Sequence, residues 1–147
     1  STKIRNAIAE GDIEKANSYL CCDFAINGKV EKGNKIGNSI GFPTANIKVV
    51  NNWKILPKDG VYAVKVFVEY QQFYGMLNIG VRPTINDDSH TIEVHIFDFN
   101  KDIYNQNIKI EFSERIRGEK KFENLDVLKK QLQIDESKCK KIFNLFS

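Results

Sequence analysis

Thr44 and Asn46, two residues with oxygen-bearing side chains, stand one position apart directly behind the Phe42-Pro43 dipeptide. Gly33, Gly37 and Gly41 lie just upstream, so a flexible loop leads into a rigid corner. Glycines let a backbone come close to a ligand, and exposed N–H groups in such turns attract anions. A hydroxyl and an amide oxygen at this spacing suit a hard cation. Anion and cation together point to a nucleotide. The same residues also fit an ordinary glycine-proline turn. The stretch is not a Walker A loop, because no Gly-Lys-Ser/Thr closes it and no helix pattern follows.

The carboxylate with the best placement is Glu93. Over residues 91–99 the pattern alternates, with Ile92, Val94 and Ile96 on one face and Glu93, His95 and Phe97 on the other. A carboxylate beside a polar loop and a phosphate-attracting turn can act as a general base; a solvated Glu opposite a buried face has the same pattern. His95 has no cysteine or second histidine at ligand spacing and reads as structural. His90 and His95 are the only histidines, and no Ser-His-Asp order or Cys-His pair presents itself. The charged segment at 115–122, containing Arg115, Arg117, Lys120 and Phe122, could clamp an anionic or flat aromatic ligand. It reads equally as the exposed basic start of a helix.

These groups need a scaffold. The chain has 147 residues, of which 41% are hydrophobic and 28% charged, enough for one sizeable core and short for two domains. A net charge of +3 suits a small anionic ligand and is too weak to argue for nucleic acid. Cys21, Cys22 and Cys139 form neither a disulfide framework nor a zinc-site spacing, which fits a reduced, cytoplasmic setting. No apolar run is long enough to span a bilayer, and no signal peptide is visible. The chain begins with Ser1 rather than Met, as expected of a piece of a longer protein.

Residues 1–20 read as helix, interrupted at Gly11-Asp12, with Ser1 or Thr2 and then Asp12 as caps. Strands are expected at 26–30, 47–50, 60–68, 73–79, 91–99 and 108–112, the run at 60–68 being the strongest. A loop at 51–59 would tuck Trp53, Leu56 and Pro57 against the body, and 80–89 reads as a polar loop. Beyond Ser113 the period becomes helical: Phe122, Leu125, Leu128 and Leu132 mark one helix, and a second short one spans 135–146. Several short strands at this spacing favour a closed barrel with the terminal helix packed on its side.

Five blocks in order give the chain a family resemblance: 40–47 (IGFPTANI), 59–64 (DGVYAV), 78–84 (NIGVRPT), 91–99 (TIEVHIFDF) and 115–122 (RIRGEKKF). Together they resemble the riboflavin kinase module of bacterial bifunctional riboflavin kinase/FAD synthetases. The opening STKIR resembles the end of that family's N-terminal adenylyltransferase domain. The resemblance implies a mainly β fold, a six-stranded antiparallel Greek-key barrel with C-terminal helices alongside. It implies a helical remnant over 1–22 and a kinase domain over 23–147, fused in the full-length protein to an FMN adenylyltransferase. It also implies an ATP-dependent phosphorylation of riboflavin at the 5′-hydroxyl, giving FMN and ADP, with no nucleic acid or membrane as partner.

Carried over, Thr44 and Asn46 hold Mg²⁺ and the phosphates. Gly33, Lys35 and Gly41 belong to the loop covering the nucleotide, and Asp98 and Tyr104 line its far side. Glu93 matches the catalytic carboxylate, and Arg117, Lys120 and Phe122 match the flavin-side segment. Two departures stand out. Ile36 and Asn38 occupy positions where the family usually has basic residues, and Asn105 replaces a glycine after Tyr104, where Asn tolerates left-handed geometry. A non-catalytic flavin- or nucleotide-binding barrel is the alternative reading.

Overall fold

The computed structural model describes residues 2–31, 40–49, 55–83 and 88–145. Ser1, Gly33, Lys35, Gly37 and Trp53, each given a part above, lie outside the described residues. Two short helices, α1 (Thr2–Glu10) and α2 (Ile13–Leu20), precede six strands: β1 (Ala25–Glu31), β2 (Ala45–Val49), β3 (Gly60–Val68), β4 (Gln71–Pro83), β5 (Asp88–Ile96) and β6 (Asn107–Arg117). One helix, α3 (Leu125–Ile142), follows. The strands close a barrel in the order β1-β2-β5-β4-β3-β6, and every pairing is antiparallel. β3, β4 and β5 form a meander. Because β2 pairs with β5, the chain must cross over the barrel end between β2 and β3, which makes the topology a Greek key.

Strand alternation divides the apolar residues between two cores. The barrel interior holds Ile26, Val30, Ile47, Tyr62, Val64, Val66, Leu77, Ile79, Val94, Ile110 and Phe112. A second cluster comprises Val61, Ala63, Met76 and Phe97 with Phe42 and Cys139 of α3. Residues 60–64 of β3 are therefore buried on both faces, inside by the barrel and outside by α3. A strand covered on both sides reads as a continuous apolar run, which is why 60–68 is the clearest strand in the sequence.

Helix α3 starts at Asn124, whose side chain accepts from the Val127 N–H at 3.0 Å. Asp126 in its first turn and Lys140 and Lys141 in its last complement the helix dipole. The sequence suggests two helices here; the structure has one. No Gly or Pro interrupts 125–142, and the buried stripe of Leu132, Asp135, Cys139 and Ile142 stays in phase, so nothing ends the backbone ladder.

Three further expectations shift. β6 continues to Arg117, five residues past the expected end, because Arg115 and Arg117 pair with Tyr62 and Val61 of β3 across two register irregularities. β4 and β5 extend toward each other as far as Pro83 and Asp88, so most of the expected polar loop at 80–89 is sheet. β2 begins at Ala45 and so includes Asn46. At the N-terminus the break at Gly11-Asp12 is present, and Asp12 caps α2 by accepting from the Lys15 N–H at 3.2 Å. α1 and α2 supply Ala7, Ile8, Ile13 and Ala16 to the barrel core. Asn17 ties α2 to the barrel, donating to the Phe112 carbonyl at 2.9 Å and accepting from the Phe24 N–H at 2.7 Å. Pro57 is buried and Leu56 packs against the core, as expected. Asn105 takes φ +70°, and its N–H donates to the Val30 carbonyl at 2.9 Å, so the turn keeps its shape without glycine.

The cysteines separate by environment. Cys21 and Cys22 are exposed, and Cys139 is fully buried. Burial first, then the nearby Asp135, Glu114 and Glu136 carboxylates, push the Cys139 thiol up to about 12. A thiolate is the reactive form, so a disulfide reagent near neutral pH should modify Cys21 and Cys22 in the native protein and reach Cys139 only on unfolding. Fast native modification of all three would contradict this packing.

Candidate active site

One row of side chains crosses the sheet. Asn46 of β2 pairs with Glu93 of β5, Glu93 pairs with Asn78 of β4, Asn78 pairs with Val61 of β3, and Val61 pairs with Arg117 of β6. Directly opposed residues point to the same face, and Val61 belongs to the outer cluster. The row therefore lies on the outside of the barrel, on the face α3 partly covers. There a cleft of about 240 Å³ is lined by Thr44, Asn78, Glu93 and Arg117 from this face, and by Glu119, Lys120 and Phe122 from the chain that follows β6. Ile40, Phe42, Met76, Leu128 and Leu132 add apolar walls.

The corner before Thr44 is pinned. The Pro43 carbonyl lies 2.7 Å from Nδ1 of His95. A carbonyl oxygen only accepts, so Nδ1 carries the proton and donates. The His95 ring sits edge-on between Phe42 and Phe97, with centroids 5.3 and 5.7 Å away. His95 thereby fixes the corner that presents Thr44, and it also lines the cleft. Gly41 takes φ +87°, and a Cβ there would meet nothing, so backbone conformation alone calls for glycine. The Thr44 hydroxyl oxygen and the side-chain oxygen of Asn78 are buried and have no hydrogen-bond partner among the described residues. Buried polar groups are normally paired. A cleft lined by two oxygens lacking a partner is built to receive something polar.

On the other wall, Arg117 is held by a residue the sequence reading passed over. Asp135 of α3, 0% exposed, accepts from Arg117 Nη2 at 2.9 Å and from Nε at 3.1 and 3.0 Å. Gln131 donates to the same carboxylate at 2.9 Å. The guanidinium sits 5.6 Å from the centre of the Phe122 ring, and the Lys120 ammonium 5.9 Å from it. A signal was available: Leu128, Leu132, Asp135, Cys139 and Ile142 recur at helical spacing, and the Asp is the single charged member of that stripe. Gly80 leaves room for Glu119, one of whose carboxylate oxygens would lie 2.6 Å from a Cβ there and would have to swing aside. Burial raises the Glu119 carboxyl above its ordinary range, against the opposing pull of the Lys120 backbone N–H and Arg117.

Of the residues singled out in the sequence, Thr44, Glu93, Arg117, Lys120 and Phe122 line one cleft, with Asn46 beside Glu93. Asp98 and Tyr104 are exposed and do not line it. A second depression of about 240 Å³, also lined by Thr44, runs past Phe99, Asn100 and Lys101, the segment between those two residues. Among the described residues, no three His, Cys, Asp or Glu side chains gather to hold a metal by themselves. None of the described helices is long and apolar enough to cross a membrane.

Residues 20–143 match the riboflavin kinase (flavokinase) family model. The chain belongs to the riboflavin kinase family. Curated relatives of this family are named bifunctional riboflavin kinase/FMN adenylyltransferase. The Haemophilus influenzae protein is 45% identical over 145 residues, covering 98% of this chain and 46% of that protein. The Bacillus subtilis protein is 42% identical over 147 residues, with 98% and 46% covered, and the Escherichia coli K12 protein is 38% identical over 146, with 99% and 46% covered. The chain thus spans about half the length of the curated relatives it matches and corresponds to their C-terminal module. A Streptococcus pneumoniae structure described as a macrolide-efflux protein superposes with TM-score 0.89 at 38% identity, covering 93% of this chain and 45% of that one. A Trypanosoma brucei riboflavin kinase superposes with TM-score 0.56 at 22% identity, covering 82% and 79%, and shares the barrel.

Proposed function

We propose that Glu93 is the general base in transfer of the γ-phosphoryl group of ATP to the 5′-hydroxyl of riboflavin, giving FMN and ADP. The observation that carries this is the cross-strand row in which Glu93 stands between Asn46 and Asn78, in a cleft whose far wall is Arg117, Lys120 and Phe122. Phosphoryl transfer asks mainly for in-line placement and for cancelling charge on the moving group. Glu93 takes the hydroxyl proton as the hydroxyl oxygen bonds to phosphorus and the bond to the ADP oxygen breaks. Arg117 and Phe122 offer a cation and a ring face to a flat heterocycle. Lys120 adds positive charge at the same wall.

Thr44 and Asn46 would hold Mg²⁺. A buried hydroxyl oxygen lacking a partner among the described residues suits an oxygen-seeking cation, and two neutral ligands leave the remaining positions to phosphate and water. The ion supplies charge neutralisation at the phosphates. Gly33, Lys35 and Gly41 would belong to the loop over the nucleotide, and Asp98 and Tyr104, which bracket the Phe99-Asn100-Lys101 rim of the second depression in sequence, would belong to its far side. Residues 1–22 would be the end of a preceding FMN adenylyltransferase unit and 23–147 the kinase, in a protein of the cytoplasm.

The nucleotide and flavin halves can be separated. Asn46→Ala should raise KM for Mg-ATP by about tenfold or more, the equivalent of roughly 1.4 kcal/mol, and leave the riboflavin Kd nearly unchanged. Equal loss of both affinities would make the Thr44-Asn46 turn scaffolding.

A further inference from the structure

We infer that Asn78 is a specificity residue whose side-chain carbonyl accepts a hydrogen bond from a hydroxyl on the polyol chain of the acceptor substrate. This rests on the site being a flavin kinase site. Three observations carry it. First, Asn78 is the register partner of Glu93, and opposed cross-strand side chains lie within reach of one small molecule. Second, its Oδ1 is buried and has no hydrogen-bond partner among the described residues, while the residue lines the cleft. Third, the fold does not ask for a polar group here. Along the same face of β4, Met76 packs into the outer cluster, and the β3 partner of Asn78 is the buried Val61. An apolar residue would complete that cluster, and a sequence that breaks local consistency without a structural gain does so at functional sites.

The chemistry of the atom selects the ligand. A carbonyl oxygen can only accept, so it has nothing to offer phosphate oxygens or a second carboxylate. The Thr44 hydroxyl, in contrast, both donates and accepts, and it suits the phosphate and cation side. Asn78 and Glu93 are neighbouring acceptors, and a chain bearing several hydroxyls answers both. Glu93 takes the hydroxyl that reacts, and Asn78 takes one further along the chain. A site built to bind a hydroxyl strongly disfavours a ligand that lacks it, because its own polar group is then left buried and unpaired.

The test compares riboflavin with lumiflavin, which has the same ring system and a methyl group in place of the polyol chain, by flavin fluorescence on wild type, Asn78→Leu and Asn78→Ala. Riboflavin affinity should fall by about tenfold in both variants, as for loss of one hydrogen bond, and lumiflavin affinity should stay within about twofold of wild type. Both variants should unfold at or above the wild-type denaturant midpoint, since an apolar replacement removes a buried unpaired oxygen. Equal loss for both flavins, or no loss for either, overturns the role of Asn78. Wild type that binds neither flavin overturns the function on which it rests, and this inference with it.

Discussion

Glu93→Gln should retain the fold and riboflavin binding and lose turnover by about a hundred- to ten-thousand-fold, the span of general-base contributions. The replacement keeps shape and hydrogen-bonding reach and removes the negative charge and the ability to take a proton. Asn46 and Asn78, which flank the position in register, are neutral and present in both proteins. The measurement is kcat for FMN formation beside a riboflavin Kd on the same preparation. Unchanged turnover would remove Glu93 from the base role; loss of both binding and turnover would make it a binding group.

The second large effect is on stability. Asp135→Ala should destabilise the protein by about 3–5 kcal/mol, the usual consequence of removing one partner of a buried ion pair. Asp135 is completely buried, the Arg117 side chain is 15% exposed, and the alanine would strand the guanidinium beneath α3. The same charge pair ties β6 to α3 and holds Arg117 against Phe122, so flavin affinity should fall as well. Denaturant unfolding checks the first point. Replacing both partners by leucine should recover most of the stability, because apolar substitutes for a buried pair are often neutral, without recovering flavin binding. A double variant that binds riboflavin normally would show that Arg117 serves only to anchor the helix.

The barrel was legible where burial and period agree. Residues 60–64 are apolar on both faces and 91–99 alternate, and both are in strands, although the second stops at Ile96. The positions of Glu93 and His95 opposite the inward-facing Ile92 and Val94 followed from that alternation alone. Strand ends were harder. Residues 113–117 are polar except for Ile116 and show no alternating apolar signal, so nothing local says that β6 runs on to Arg117, where pairing with β3 decides it. The neighbour relation of β2 and β5, which brings Asn46 to Glu93, joins residues far apart in sequence and has no local signature. Asp135 was readable in principle as a charge within an apolar helical stripe. Its partner was not, because a helical stripe does not say which strand it covers.

Incubation of the folded chain with riboflavin, ATP and Mg²⁺ tests the central claim most directly. FMN and ADP should form in equal amounts. A folded chain that binds both riboflavin and ATP yet forms no FMN would contradict that account and make this barrel a binding module.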